Sequence, residues 1–222
     1  MSQFDQKRPA FRKLWAICAV VLISCATAKP PHESGDFKAS NLVELQRLDP
    51  TIQLDIRYAT SSNFMHRPLY PEARAFLQRP AAEALAKVNQ ELKPLGYKLL
   101  VFDGYRPWRI TKQMWDSTPR ANKKFVANPK TGSRHNRGCA VDLSLCELSS
   151  GKEVAMPGEY DEMSPRSYVA YTGGTPEQRA MRDLLRSKME KHGFKVLAAE
   201  WWHFDYNDWK SYRIQDVPFD KL

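Results

Sequence analysis

The stretch that most constrains this chain runs from Ser133 to Leu145. A polar turn, Ser133-Arg134-His135-Asn136-Arg137-Gly138, feeds directly into Ala140-Val141-Asp142-Leu143-Ser144-Leu145. The second half alternates like a strand, placing Asp142 and Ser144 on one face and Val141, Leu143 and Leu145 on the other. His135 lies seven residues before Asp142, more than one helical turn, so only a turn at Asn136-Arg137-Gly138 could bring the two together, with Gly138 supplying the backbone freedom. On these residues alone, His135 in an exposed loop with Asp142 bonding locally is as good a reading as a shared site.

A second patch, Glu200-Trp201-Trp202-His203, shifts the balance. With His203 the chain offers two imidazoles and a carboxylate, three ligands for a hydrolytic zinc ion whose fourth position is left to water, and Glu200 as a nearby base. An odd spacing of three would point Glu200 and His203 to opposite faces of a regular strand, so a bulge or bend at Trp201-Trp202 is required if both serve one site. A core-packed tryptophan pair with incidental polar neighbours is the competing reading. Arg106, in a Tyr-Arg-Pro turn, could hold a developing oxyanion or simply form a salt bridge. His32, His66 and His192 have no ligand-like context.

The remaining segments supply a framework. Ile52, Leu54 and Ile56 alternate as a strand, and Asn63-Phe64 opens a proline-punctuated loop through Pro71. Ala84, Leu85, Val88 and Leu92 make the stripe of a helix from Pro80 to Leu92, ended by Pro94 and Gly96. Lys98 to Phe102 reads as a buried strand delivering Asp103-Gly104-Tyr105-Arg106-Pro107 at its end. A helix is expected from Trp108 to Trp115, and a lysine-rich loop from Ser117 to Gly132. Thr175-Pro176-Glu177-Gln178 has the form of a capping box opening a helix that stops at Gly193, before a last strand from Phe194 to Ala198. Helices and strands mix without regular βαβ alternation. The expected class is therefore α+β, one domain around a small, mostly antiparallel sheet with flanking helices. With 222 residues, 42% of them hydrophobic, one such core is affordable.

The N-terminus stands apart. Lys7, Arg8, Arg12 and Lys13 precede ten apolar residues, Leu14 to Ile23, too few to span a bilayer but suited to a signal peptide over residues 1–28. Ala26-Thr27-Ala28 fits ordinary cleavage before Lys29; Leu22-Ile23-Ser24-Cys25 fits a bacterial lipobox in all four positions, which favours Cys25 as a lipidated anchor. Residues 29–41 read as a tether, and 42–222 as the domain. Four basic residues and Asp5 leave with the signal, taking three of the nine formal positive charges, so the rest carries about +6. That suits an anionic cell envelope or plain solubility, and the scattered basic residues argue against nucleic acid. Cys139 and Cys146, seven strand steps of ~3.3 Å apart, would be separated by about 23 Å and cannot bridge.

Four separated motifs carry a family resemblance: Asp55-Ile56-Arg57-Tyr58-Ala59-Thr60, Asp103-Gly104-Tyr105-Arg106-Pro107, Ser133-x-His135-x-x-Gly138-x-Ala140-x-Asp142, and Glu200-x-x-His203. In this order they resemble the zinc D,D-peptidases, in their D-alanyl-D-alanine dipeptidase branch. The resemblance implies one zinc ion held by His135, Asp142 and His203, with Glu200 as catalytic base and Arg106 steadying the transition state. It also implies a substrate pocket lined by Tyr58, Asp103, Ser133 and Asp161, with Asp161 pairing the dipeptide's ammonium group, and an α+β fold. The chain departs from the family at Arg166-Ser167-Tyr168, where dipeptidases tend to read Arg-Ser-His, a difference that bears on the fine shape of the pocket. The expected activity is hydrolysis of free D-Ala-D-Ala in the periplasm. Two other readings are a D,D-carboxypeptidase acting on stem peptides and a non-catalytic envelope-binding lipoprotein. Serine or cysteine nucleophilic catalysis is disfavoured, since no third group is evident to orient a Ser133–His135 pair.

Overall fold

The computed structural model describes residues 28–222. The signal peptide and Cys25 expected above lie outside the described residues, apart from Ala28. The first elements are strand β1 (Leu42–Glu44), a single helical turn α1 (Leu45–Leu48) and strand β2 (Gln53–Leu54). Then come β3 (Phe76–Gln78), helix α2 (Arg79–Leu92), β4 (Tyr97–Asp103) and α3 (Trp108–Ser117). The chain ends with β5 (Ala140–Glu147), α4 (Pro176–Lys191), β6 (Phe194–Leu197) and β7 (Glu200–Tyr206). Five strands form the main sheet in the order β2-β4-β5-β7-β6, and β1 pairs with β3 in a separate ribbon. Only β2 runs parallel to its neighbour, β4; every other pair in the main sheet is antiparallel. This is the expected α+β class.

Local chemistry accounts for most of these elements. The apolar run of β4 lies between β2 and β5, with Leu99, Val101 and Phe102 fully buried. Helix α2 starts with proline in its first turn and buries Ala81, Leu85, Val88 and Leu92. Its Asn89 is buried too, with its Oδ1 accepting from the Leu99 N–H of β4 and its Nδ2 donating to Asp49, so the polar group locks helix to sheet at no unpaired cost. The Thr175 capping box forms as expected, with the Thr175 hydroxyl and the Gln178 side chain bonding each other's backbone N–H. Cys139 and Cys146 are buried free thiols at either end of β5.

Three expectations need revision. The strand expected over Ile52–Ile56 keeps only two paired residues, because the chain turns at Ile56 into a 3-10 turn, Arg57–Ala59, that carries Tyr58 inward. The ribbon of β1 and β3 was not foreseen: each strand is three residues long, too short for alternation to register. Most of the segment read as a tether lies against the domain. Glu33 pairs with the buried Arg137 and accepts from the Ile214 N–H at 2.7 Å, Lys38 pairs with Asp208, and the Asn41 N–H donates to Gln78. The segment carries no apolar pattern and reads as solvated, but it is held by single polar contacts to Gln78, Arg137, Asp208 and Ile214, which lie far apart in the sequence.

Candidate metal centre and substrate cavity

The two halves of the site meet through sheet pairing. Asp142 of β5 lies directly opposite His203 of β7, and directly opposed residues on neighbouring strands project from the same face. His135 arrives from a 3-10 turn, His135–Arg137, that runs into β5 through Gly138 at φ 70°. A Cβ at Gly138 would sit 2.3 Å from the Leu42 side chain, so the turn that delivers His135 is closed to any larger residue. The bend required at Trp201-Trp202 is present. Val196 pairs with Phe204, yet the next residue, Leu197, pairs with Glu200, leaving Trp201 to His203 bulged away from β6 and allowing Glu200 and His203 to share the cavity.

A second bulge governs Asp103. Val101 pairs with Leu143, but Asp103 pairs with Asp142, so Phe102 is the extra residue and Asp103 turns to the face that carries Asp142. Gly104 follows at the closest approach to β3, where a Cβ would lie 2.7 Å from the Phe76 carbonyl oxygen. The Gly104 carbonyl is thereby aimed at His135, whose Nδ1 is 2.8 Å away.

His135, Asp142 and His203 are all buried and their ligand atoms converge. Because a carbonyl oxygen only accepts, His135 Nδ1 carries a proton and donates to Gly104, turning the Nε2 lone pair to the site. His203 Nε2 likewise lies 3.0 Å from Asp205 Oδ1 and donates to it, turning Nδ1 inward. The inward atoms are 3.1 Å apart between the imidazoles, 2.9 Å from His203 Nδ1 to Asp142 Oδ1 and 3.4 Å from His135 Nε2 to the same oxygen. Tetrahedral zinc with bonds of ~2.1 Å separates its ligand atoms by about 3.4 Å, so the donor set fits zinc in type, number and spacing. Two lone pairs and a carboxylate facing one another also demand a cation between them. A proton on His203 Nδ1 supplies that positive charge where no metal does: burial works against a charge on His203, yet the hydrogen bonds to Asp142 and Asp205 outweigh it and push its pKa up to about 10. Burial likewise opposes ionising Asp142, but the two histidines hold its carboxyl far below the usual range.

Around this cluster, Tyr58, Arg106, Ser133, Asp161 and Glu200 line one cavity of about 230 Å³. Glu200 Oε2 is 3.7 Å from His203 Nδ1, close to the cluster but outside hydrogen-bonding distance, and burial raises its pKa against the opposing pull of His203. Arg106 is buried, lies 5.2 Å over the Tyr58 ring, and has Nη2 3.8 Å from Asp142 Oδ2. Tyr58 donates to Asp161 Oδ2 at 2.7 Å. Asp161 itself sits at φ 60°, a left-handed conformation uncommon for aspartate, and burial pushes its pKa up to about 8, the Tyr58 hydrogen bond partly opposing this. The Ser133 Oγ accepts from the His135 N–H at 3.2 Å.

Asp103 is the correction. It was expected in the pocket wall but is 1% exposed and does not line the cavity. Its Oδ2 instead takes two hydrogen bonds from Arg106, at 2.9 and 2.6 Å, while Oδ1 accepts from Tyr70 and from the Gly104 N–H. Asp103 fixes Arg106; it cannot reach a ligand. Tyr168 is 40% exposed and absent from the cavity wall, so the departure at Arg166-Ser167-Tyr168 leaves the lining unchanged. Two contributors escaped the sequence reading. Asp205, two residues beyond His203 on β7, was legible from i, i+2 spacing, which puts both on one face. Tyr160, whose hydroxyl is 3.3 Å from Asp142 Oδ2, comes from an irregular segment with no such signal.

A buried His-Asp-His cluster with an unliganded carboxylate and a buried arginine in one cavity is the site of a metal-dependent hydrolase. The family model described as D-ala-D-ala dipeptidase, peptidase family M15, matches residues 38–220, and the chain belongs to that family. Relatives include the D-alanyl-D-alanine dipeptidase of Escherichia coli K12, 32% identical over 175 residues, covering 79% of this chain and 89% of that one. The D-alanyl-D-alanine dipeptidase of Enterococcus faecium is 34% identical over 178 residues, covering 71% and 87%. That of Streptomyces coelicolor is 33% identical over 171 residues, covering 69% and 85%.

Proposed function

We propose that this protein hydrolyses the free dipeptide D-Ala-D-Ala to two D-alanines with one zinc ion bound by His135, Asp142 and His203. The observation that carries this reading is Asp161, a carboxylate held in the same small cavity as the metal cluster by the Tyr58 hydroxyl, where a free amino terminus can pair with it. At about 230 Å³ the cavity lies below the range that holds drug-sized ligands, as suits a dipeptide.

Zinc, when bound, supplies Lewis acidity that polarises a carbonyl and lowers the pKa of water toward 7. Glu200, raised by burial and free of the ligand set, takes the proton from the attacking water and returns it to the leaving amine. Arg106, held by Asp103, places a fixed positive charge where the tetrahedral oxyanion develops. Asp161 and Tyr58 orient the ammonium end. Gly104 and Asp205 keep both imidazoles in the tautomer that leaves a lone pair for the metal.

Zinc-loaded protein is expected to release D-alanine from D-Ala-D-Ala and to act poorly on its N-acetyl derivative. Asp161→Asn should raise KM for the free dipeptide by about 10–100-fold, the worth of a hydrogen bond to a charged group. The Asp161 carboxyl, near 8 in the free protein, must ionise to pair the ammonium. Hence kcat/KM for the free dipeptide should rise with pH toward 8, and Asp161→Asn should abolish that limb. An intact dipeptide alongside D-alanine release from a longer stem peptide would instead make the protein a D,D-carboxypeptidase.

We further infer export to the cell envelope with a lipid anchor at Cys25, resting on the basic residues before Leu14 to Ile23 and on Leu22-Ile23-Ser24-Cys25. Cys25→Ala should move the protein from the membrane to the soluble fraction on cell fractionation; recovery in the soluble fraction with Cys25 intact would remove the anchor.

A further inference from the structure

The charged side chains that line the cavity are mostly committed to partners inside the protein. Arg106 is held by Asp103. Arg134 lies 3.5 Å from Asp205 and stacks 4.8 Å over the Trp209 ring. Glu162 accepts from the Ser164 hydroxyl and the Glu159 N–H and faces Arg166. Setting these and the metal cluster aside leaves two carboxylates, Asp161 and Glu200, and one cation, Lys124. The Lys124 side chain is exposed, and among the described residues it has no ion pair; its ammonium rests 4.9 Å from the centroid of the adjacent Phe125 ring.

With Glu200 assigned to proton transfer, the cavity offers one anion and one cation for binding, supplied by separate segments of chain. Asp161 follows β5 in sequence and is held by Tyr58, whereas Lys124 lies in the 3-10 turn Arg120–Phe125, upstream of Ser133 and His135. A free dipeptide is a zwitterion whose termini stand about 7 Å apart when extended, so it presents one charge of each sign to either side of its scissile bond. A lysine on a flexible four-carbon stem, held only against the adjacent Phe125 ring and by no ion pair among the described residues, can follow a small mobile carboxylate.

We propose that Lys124 is a specificity-determining residue that pairs with the C-terminal carboxylate of the substrate, as Asp161 pairs with its ammonium. The assignment rests on the dipeptidase reading above. It implies that the site selects peptides by both termini, rejecting C-terminally extended or amidated chains as well as N-acylated ones.

The test compares D-Ala-D-Ala with its C-terminal amide on zinc-loaded full-length protein. Wild type is expected to favour the free acid in kcat/KM, Lys124→Gln to shrink that preference by about 2–5-fold through KM, and Lys124→Arg to restore most of it. The preference should also weaken with added salt, since an exposed pair is screened. The exposed position makes misfolding of these variants no obstacle, and calorimetric affinities of the two ligands on a Glu200→Gln background read the same pairing without turnover. An unchanged preference in Lys124→Gln, by kinetics and by calorimetry, overturns the assignment while leaving dipeptide hydrolysis standing; wild type that turns over neither compound, yet shows the Lys124-dependent difference in affinity, overturns hydrolysis and leaves the assignment.

Discussion

Glu200→Gln is expected to bind zinc like wild type and to lose about 10²–10⁴-fold in kcat, the range for removal of a positioned general base. Glutamine keeps the shape and polarity of the side chain, so the β7 bulge that presents it should persist, yet its amide cannot accept a proton from water. The carboxylate stands outside the ligand set: the ligand atoms of His135, Asp142 and His203 all lie within 4.8 Å of one another, and Glu200 is not part of that group. Metal content by atomic absorption should therefore stay near one per chain while turnover collapses, and KM should change little. A variant that retains more than a tenth of wild-type kcat would show that Glu200 is not the base.

What the sequence disclosed and what it hid follow from the range of the interactions. Helix α2, the capped helix α4 and strand β4 are set by residues within a few positions of one another, and all three appear close to where periodicity and caps put them. The bulge at Trp201-Trp202 was deducible because two functions demanded one face from an odd spacing. The bulge at Phe102 was not, since nothing in Leu99 to Asp103 distinguishes a regular strand from one that gains a residue against β5. The family resemblance places Asp103 in the cavity wall, whereas it sits behind that wall, bound to Arg106. Similarly, the pairing of Asp142 with His203 is a matter of register between strands separated by the whole of α4, and no local pattern encodes it. The family motifs supplied those residues where spacing alone left the site undecided.

Arg106 is where structural and chemical roles have to be separated. Arg106→Met removes a cation from the cavity and leaves Asp103 buried without its counter-charge, with Tyr70 and the Gly104 N–H as its remaining partners. Breaking a buried pair from one side costs roughly 3–5 kcal/mol, which for a chain of this size lowers Tm by about 10 °C. Loss of oxyanion stabilisation costs a further 10²–10³-fold or so in kcat, on the scale of a single lost donor. The double variant Arg106→Met with Asp103→Asn takes away the orphaned charge while keeping an oxygen for Tyr70 and Gly104, so most of the stability should return. The rate should not, because the cation is still missing from the point where negative charge develops. Differential scanning calorimetry and kcat on the same two proteins decide the matter. Recovery of both would make Arg106 a structural residue; recovery of Tm alone places its positive charge in the transition state.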